Sequence, residues 1–298
     1  MKKLLILLFS ILISFNSYGL FGLFGLFDKT VCVDTDAQDR NGIIYLPNND
    51  EPFTGKDVCK YENGQYKSEG KVKNGKITSQ TKYEYHDNGQ IEVEENYKDG
   101  KEDGKWTEWH ENGQKQYEWH MKDDKQDGKK TEWYENGQKK QEGNFKDGKE
   151  DGKWTEWYEN GQKKQEGNFK DGKQDGKWTT YENGQISGKE NYKDGELDGE
   201  LTWWHQNGQI KLELNYKDGK MDGKGTYWYE SGQKNWEGNY KDDKQDGKWT
   251  TWHENGQKWW EENFKDGKED GKWTEWYENG QKKQEGNFKD GECISGDC

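Results

Sequence analysis

Residues 151–172 read DGKWTEWYENGQKKQEGNFKDG, and the glycines in this stretch decide the fold. Asn160-Gly161 and Asp171-Gly172 are the preferred central pairs of type I′ turns, because both residues there need positive φ. Between two such turns lies room for a strand of roughly ten residues. The segment shows no helical period, and glycine recurs too often for helices. A two-turn unit of this kind is an antiparallel hairpin with a strand leading to the next one.

Working outward, the unit repeats. Asn-Gly-Gln places glycine at Gly64, Gly89, Gly113, Gly137, Gly161, Gly184, Gly208, Gly256 and Gly280, and Ser-Gly-Gln does so at Gly232. All but two of the steps between these glycines are 24 residues, the others being 25 and 23. Lys-Asp-Gly falls midway, and residues 148–172 and 267–291 are identical. A fixed period of this length signals a tandem array. The expected fold is all-β: an elongated, antiparallel single-layer sheet of about ten tandem β-hairpin repeats, each repeat touching only its neighbours. Roughly twenty strands at ~4.8 Å spacing would extend about 90–100 Å.

With Asn160-Gly161 as the centre of a two-residue turn, Trp157 opposes Lys164, Trp154 opposes Gly167 and Gly152 opposes Phe169. One face then carries Trp154, Glu156, Tyr158, Gln165 and Phe169, and the other Thr155, Trp157, Lys164 and Glu166. Large rings facing glycines cover exposed backbone. The first set forms an aromatic stripe that serves as the core, being the main apolar material in the chain.

Composition agrees with a thin structure. Only 27% of residues are hydrophobic and 36% are charged, which approaches disorder, yet 17 Trp, 17 Tyr and 10 Phe argue for a small core repeated many times. The net charge of −14, or −16 without Lys2 and Lys3, argues against nucleic acid and anionic membrane surfaces as partners. Lysines alternate with acids along the chain, so no basic patch is expected.

The N-terminus has the pattern of an export signal: Lys2 and Lys3, an apolar run over residues 4–15, and small residues before a cleavage point after Gly19. The apolar character continues to Phe27, long enough to span a bilayer if uncleaved, so a signal (1–19) and an anchor (to 27) both stand. Any membrane attachment would run through this segment. In either case the repeats lie outside the cytoplasm, in the periplasm, cell envelope or extracellular space. Residues 20–52 are expected as an N-terminal cap, 53–291 as the array and 292–298 as a C-terminal cap. Cys32, Cys59, Cys293 and Cys298 flank the array. Of the three pairings open to four cysteines, two local disulfides, Cys32 with Cys59 and Cys293 with Cys298, are the simplest.

The pattern Asp-Gly-Lys-Trp-x-x-Trp-Tyr-x-Asn-Gly-Gln-Lys-x-x-Glu-x-Asn-Phe/Tyr-Lys-Asp-Gly, as in 151–172, closely resembles the bacterial variant of the MORN repeat. Pro52-Phe53-Thr54-Gly55 is similar to the start of such an array, and the resemblance covers about 53–291. It implies an elongated antiparallel sheet. It also implies a scaffolding or phospholipid-linked role, as for eukaryotic arrays, or an antitoxin role, since bacterial variants often carry the label of YwqK-family antitoxins. The net charge opposes the phospholipid role. For an exported chain, the antitoxin role would take the form of an immunity-type inhibitor acting in the periplasm.

No catalytic constellation emerges: serine is scarce, and near-identical repeats offer no singular, specialised shell. His86, His110, His205 and His253 share one slot with tyrosines of other copies, which reads as aromatic packing. Loops such as 146–152 place Lys149 between Asp147 and Asp151, where a calcium loop needs an oxygen ligand. No cofactor or metal is expected. One feature is left over, a ladder of Trp109, Trp133, Trp157, Trp204, Trp228, Trp252 and Trp276 on the face opposite the stripe, with Lys60, Tyr85 and Thr180 as exceptions. Such a ladder suits repeated weak contacts to a protein or extended polymer, or else packing onto the stem of a cross-strand lysine such as Lys164. The expected function is therefore a non-enzymatic exported interaction scaffold, with a toxin-directed inhibitor as the alternative.

Overall fold

The computed structural model describes residues 29–297. The export segment expected at 1–19, the apolar residues that follow it, and Cys298 lie outside the described residues. The chain divides into two compact units, one ending at Gln80 and one beginning at Thr81. About two thirds of the described residues are β-strand, and 29 strands belong to one sheet. The all-β tandem-repeat sheet expected above is the fold.

In the second unit, Gly152–Trp157 and Lys163–Lys170 show how the repeat folds. They pair antiparallel, with Gly152 opposite Phe169 and Trp154 opposite Gly167, as the sequence predicts. The turn differs from expectation. The Tyr158 amide donates to the Gln162 carbonyl and the Gly161 amide to the Tyr158 carbonyl, each at 2.8 Å. Only Gly161 has positive φ (+81°). This is a three-residue loop, a type I turn closed by glycine in the left-handed region. The extra residue shifts the register, so Trp157 pairs with Lys163 and not Lys164. Lys163 thereby joins the face of Trp157 and Glu166, while Lys164 crosses to the other face and meets Glu156 at 3.4 Å. The expected two-residue turn does occur at Asn183-Gly184, both at positive φ. That is the copy one residue shorter than the rest, and the deletion falls in the loop. Consequently Tyr181, not Thr180, occupies the ladder slot, since Tyr181 follows the register shift as Trp157 does.

The Lys-Asp-Gly turn is the expected type I′, with Asp171 at φ +50° and Gly172 at +82°. Beyond it the strand is interrupted. Phe169 pairs with Gln174 but Glu166 pairs with Thr179, so two residues on one strand face four on the other. Asp175 and Gly176 are the insertion, and the Asp175 amide still reaches the Asn168 carbonyl at 2.9 Å. Because two residues are added, the inward–outward alternation survives and Trp178 returns to the face of Phe169.

The stripe is real. Phe145, Trp154, Phe169, Trp178 and Tyr192 form an unbroken edge-to-face chain with centroids 5.1–6.4 Å apart. Each indole leans onto the hairpin before its own: Trp154 covers Gly143, and Trp178 covers Gly167. The sequence pairing of Trp154 with Gly167 holds for the backbone but not for the ring, because side chains lean along a twisted strand. One copy reverses the sizes, with Leu214 lying against Gly225.

The first unit has a conventional small core of Ile44, Leu46, Phe53 and Val72. Its hairpin, Gly55–Lys60 with Tyr66–Lys73, closes by the same three-residue turn. Cys32 and Cys59 are disulfide-bonded as expected. Beneath them Asp57 is buried and accepts from the Val33 amide at 2.9 Å. Cys293 is also disulfide-bonded.

Candidate functional site

The ladder face is built by the register shift just described. Lys153, Thr155 and Trp157 on one strand and Lys163, Glu166 and Asn168 on the other point the same way. Thr155 is buried as the floor, and Trp157 is half-buried. Glu166 receives Lys153 at 3.3 Å and Lys163 at 3.0 Å. The same triad occurs at Lys105, Lys115 and Glu118; at Lys129, Lys139 and Glu142; and at Lys224, Lys234 and Glu237. Lys248, Lys258 and Glu261, then Lys272, Lys282 and Glu285, complete the series.

In five of the six triads the second lysine reaches into the next repeat. Lys139 lies over Trp157 at 5.6 Å from the ring centroid, and Lys115, Lys234 and Lys258 lie likewise over Trp133, Trp252 and Trp276. Lys163 covers Tyr181, and Lys189 covers Trp204. The cation on these six rings therefore comes from the preceding hairpin, where the sequence predicts one such as Lys164 from the same hairpin. Beside Trp252 the face opens into a groove of about 380 Å³ between Lys224, Lys248, Lys258, Glu237 and Glu261.

The histidine slot links repeats. Tyr134 donates its hydroxyl to the Trp157 carbonyl at 2.8 Å, and the His86 ring bonds the Trp109 carbonyl at 2.8 Å. His205 and Tyr229 do the same to Trp228 and Trp252. Tyrosine and histidine interchange here because each places a ring donor at the same reach.

Electrostatically the triads hold their carboxylates ionised. The Tyr181 hydroxyl at 2.6 Å, followed by Lys163, pulls Glu166 down from 4.5 to about 2. Burial raises Glu142 and Glu237, but their paired lysines outweigh it and both stay below the ordinary value. Tyr181 in turn is pushed up to about 12 by its bond to Glu166. A carboxylate depressed in the folded state stabilises the fold fully above its unfolded pKa and loses that contribution as pH falls through its folded value. Glu108 and Glu262, raised by burial, act in the opposite sense. The native array should therefore lose thermal stability between pH of about 4.5 and about 2, and Glu166→Gln should flatten that loss. Thermal melts across this window that coincide for the two chains would contradict the assignment.

Sequence reading missed a second surface, on the stripe face. Trp203, Leu212, Tyr227, Trp236, Thr251 and Trp260 are consecutive cross-strand partners. In the identical copies these positions are Glu156 and Gln165, or Glu275 and Gln284. Trp203 is 40% exposed and the adjoining Trp259 43%, so the row borders solvent. Comparing copies slot by slot would have shown the substitutions; only the register aligns them. Among the described residues, the grouping with metal-ligand chemistry is Cys32, Asp57 and Cys59, whose sulfurs are committed to the disulfide. No helix of the described residues is long and apolar enough to cross a membrane.

The profile of the MORN repeat variant matches residues 81–99, 102–123, 126–147, 150–171, 174–194, 197–218, 245–266 and 269–290. No curated protein matches the chain. Among solved structures, the crystal structures of TcdB2-TccC3 and TcdB2-TccC3-Cdc42 align with 81% of this chain at 14% identity and a TM-score of 0.23. That of TcdB2-TccC3-TEV aligns with 83% at 10% identity and the same score. This chain spans only 14–16% of the length of those chains.

Proposed function

This chain belongs to the MORN repeat variant family, whose profile covers more than half of it, and from that premise we propose that it is a non-enzymatic binding scaffold. The observation that carries this reading is the six-fold recurrence, in one register and on one face, of a Lys–Glu–Lys triad. The ladder rings lie on the same face. Contacts too weak to matter singly multiply when a long partner meets them in series. Export is part of the same proposal: the Cys32–Cys59 disulfide suits an oxidising compartment, so the scaffold would act in the cell envelope or outside the cell.

A second reading, an immunity-type inhibitor of a toxin, is favoured by the aromatic row from Trp203 to Trp260. Half-exposed tryptophan and tyrosine in one contiguous patch is the composition of protein-interface hot spots. One experiment separates the two. Envelope extract is passed over the native chain, a ladder variant with Trp109, Trp133, Trp157, Trp252 and Trp276 changed to tyrosine and then to threonine, and a row variant with Trp203, Trp236 and Trp260 changed to glutamine. Circular dichroism establishes that each folds. Loss of the retained partner only in the ladder variants supports the scaffold. Loss only in the row variant replaces it with the inhibitor reading.

A further inference from the structure

The chain is acidic overall, yet its charges are sorted by face. On the stripe face lysine and glutamate pair one to one, as in Lys140 with Glu132, Lys164 with Glu156 and Lys283 with Glu275. On the ladder face each triad has two lysines to one glutamate, six times over. Glu94, Glu200 and Glu213 also lie on this face, in copies without a triad, whereas Glu135, Glu159, Asp147 and Asp171 sit in the turns at the sheet margins. The middle of the array goes further: Lys177 and Lys189 occupy ladder-face positions, and Lys189 stands where other copies have the bridging glutamate. The ladder face of an acidic protein thus carries two cationic runs, one from Lys105 to Lys189 and one from Lys224 to Glu285, separated by the copy in which Glu200 and Glu213 stand in place of a triad. At physiological ionic strength fields fade over about 8 Å, so a ligand lying on that face responds mainly to the stripe and little to the margins.

The stripe has a period. Within each run of three, neighbouring triads are two long strands apart, about 10 Å, and each contributes one surplus positive charge beside one half-exposed aromatic ring, with a polar groove beside Trp252. A complementary ligand is extended, carries one negative charge per ~10 Å, and offers an apolar ring face between charges. We propose that the ladder face binds a linear acidic polysaccharide with one carboxylate per disaccharide, an alternating uronic acid–hexosamine chain. Its carboxylates would meet the surplus lysines, and the C–H faces of its sugars would lie against the indoles. Glu118, Glu142, Glu166, Glu237, Glu261 and Glu285 keep the lysines in place between these contacts. Nucleic acid fits less well, because its phosphates are spaced more closely than the triads. This inference rests on the scaffold reading, for which it names the partner.

The test uses the full chain and immobilised hyaluronan, with a chitin oligosaccharide as the neutral control and single-stranded DNA as the competing polyanion. In the variant, Lys105, Lys129, Lys153, Lys224, Lys248 and Lys272 become glutamine. These side chains are 44–67% exposed and leave the rings packed. Hyaluronan should bind the native chain and bind the variant at least ~100-fold more weakly, as expected when a series of contacts is lost together. Binding to the native chain should also vanish near 1 M salt, where fields reach only about 3 Å. Equal binding by the variant, or binding of chitin or DNA as tight as that of hyaluronan, overturns the proposal. Absence of any hyaluronan binding also overturns it, and the scaffold reading then stands or falls separately on whether the ladder variants lose their envelope partner.

Discussion

Leucine in place of Gly167 is expected to destabilise the second unit by about 1–3 kcal/mol, the usual cost of overpacking. A Cβ at this position would lie 2.2 Å from the Trp178 ring, inside any real contact distance. The ring cannot withdraw, because Phe169 and Tyr192 hold it edge-on at 5.1 and 6.4 Å. Trp178→Gly alone should cost more, about 3–5 kcal/mol, since it empties the most buried ring of the stripe. The two together should recover much of the loss. The chain already contains that solution, with Leu214 against Gly225 in a neighbouring repeat. Urea unfolding of the four chains forms a double-mutant cycle. Strict additivity would mean that ring and glycine do not share one site, and the packing account would be wrong.

Reducing the Cys32–Cys59 bond is expected to be the largest single effect on the first unit. The cysteines are 27 residues apart, and opening a loop of that size restores about 3–4 kcal/mol of chain entropy to the unfolded state. The unit has only four fully buried apolar side chains in its cluster to set against that loss. Asp57 adds to the penalty, because its buried carboxylate depends on the Val33 amide next to Cys32. In a Cys32→Ser, Cys59→Ser chain, amide exchange should accelerate across residues 29–80 and stay slow in the hairpins beyond Thr81. Uniform protection throughout would show that the disulfide carries no such share of the stability.

Much of this architecture is legible in one copy of the repeat. The type I′ turn at Asp171-Gly172 and the pairing of Trp154 with Gly167 follow from residue chemistry that acts over a few positions. So does the sorting of Trp154 and Phe169 to one face and Trp157 to the other. The turn at Asn160-Gly161 is different. Asn-Gly satisfies a two-residue type I′ turn and also the end of a three-residue type I turn, because glycine takes the left-handed position in both. The choice lies in how many residues the flanking strands leave over. Asn183-Gly184 shows this: with one residue fewer, the same dipeptide adopts the other turn.

The amino-acid sequence by itself determined the period, the all-β class, the hairpin as the unit and the aromatic stripe, and it made the Cys32–Cys59 bond the simplest pairing. Each depends on local propensity or on a count. Tertiary structure decided the rest. The register shift moved Lys163 onto the ladder face and Lys164 off it, creating the Lys–Glu–Lys triads. The lean of the strands set Trp154, Trp178 and Trp249 over the glycine of the preceding hairpin, and laid Trp133, Trp157, Trp204, Trp252 and Trp276 beneath the preceding hairpin's lysine. Pairing of successive strands gathered scattered substitutions into the row from Trp203 to Trp260. The physical reason is common to all three. In a sheet a one-residue slip reverses which face a side chain occupies, and the slip is set by what neighbouring strands can pair and pack, not by the residue itself.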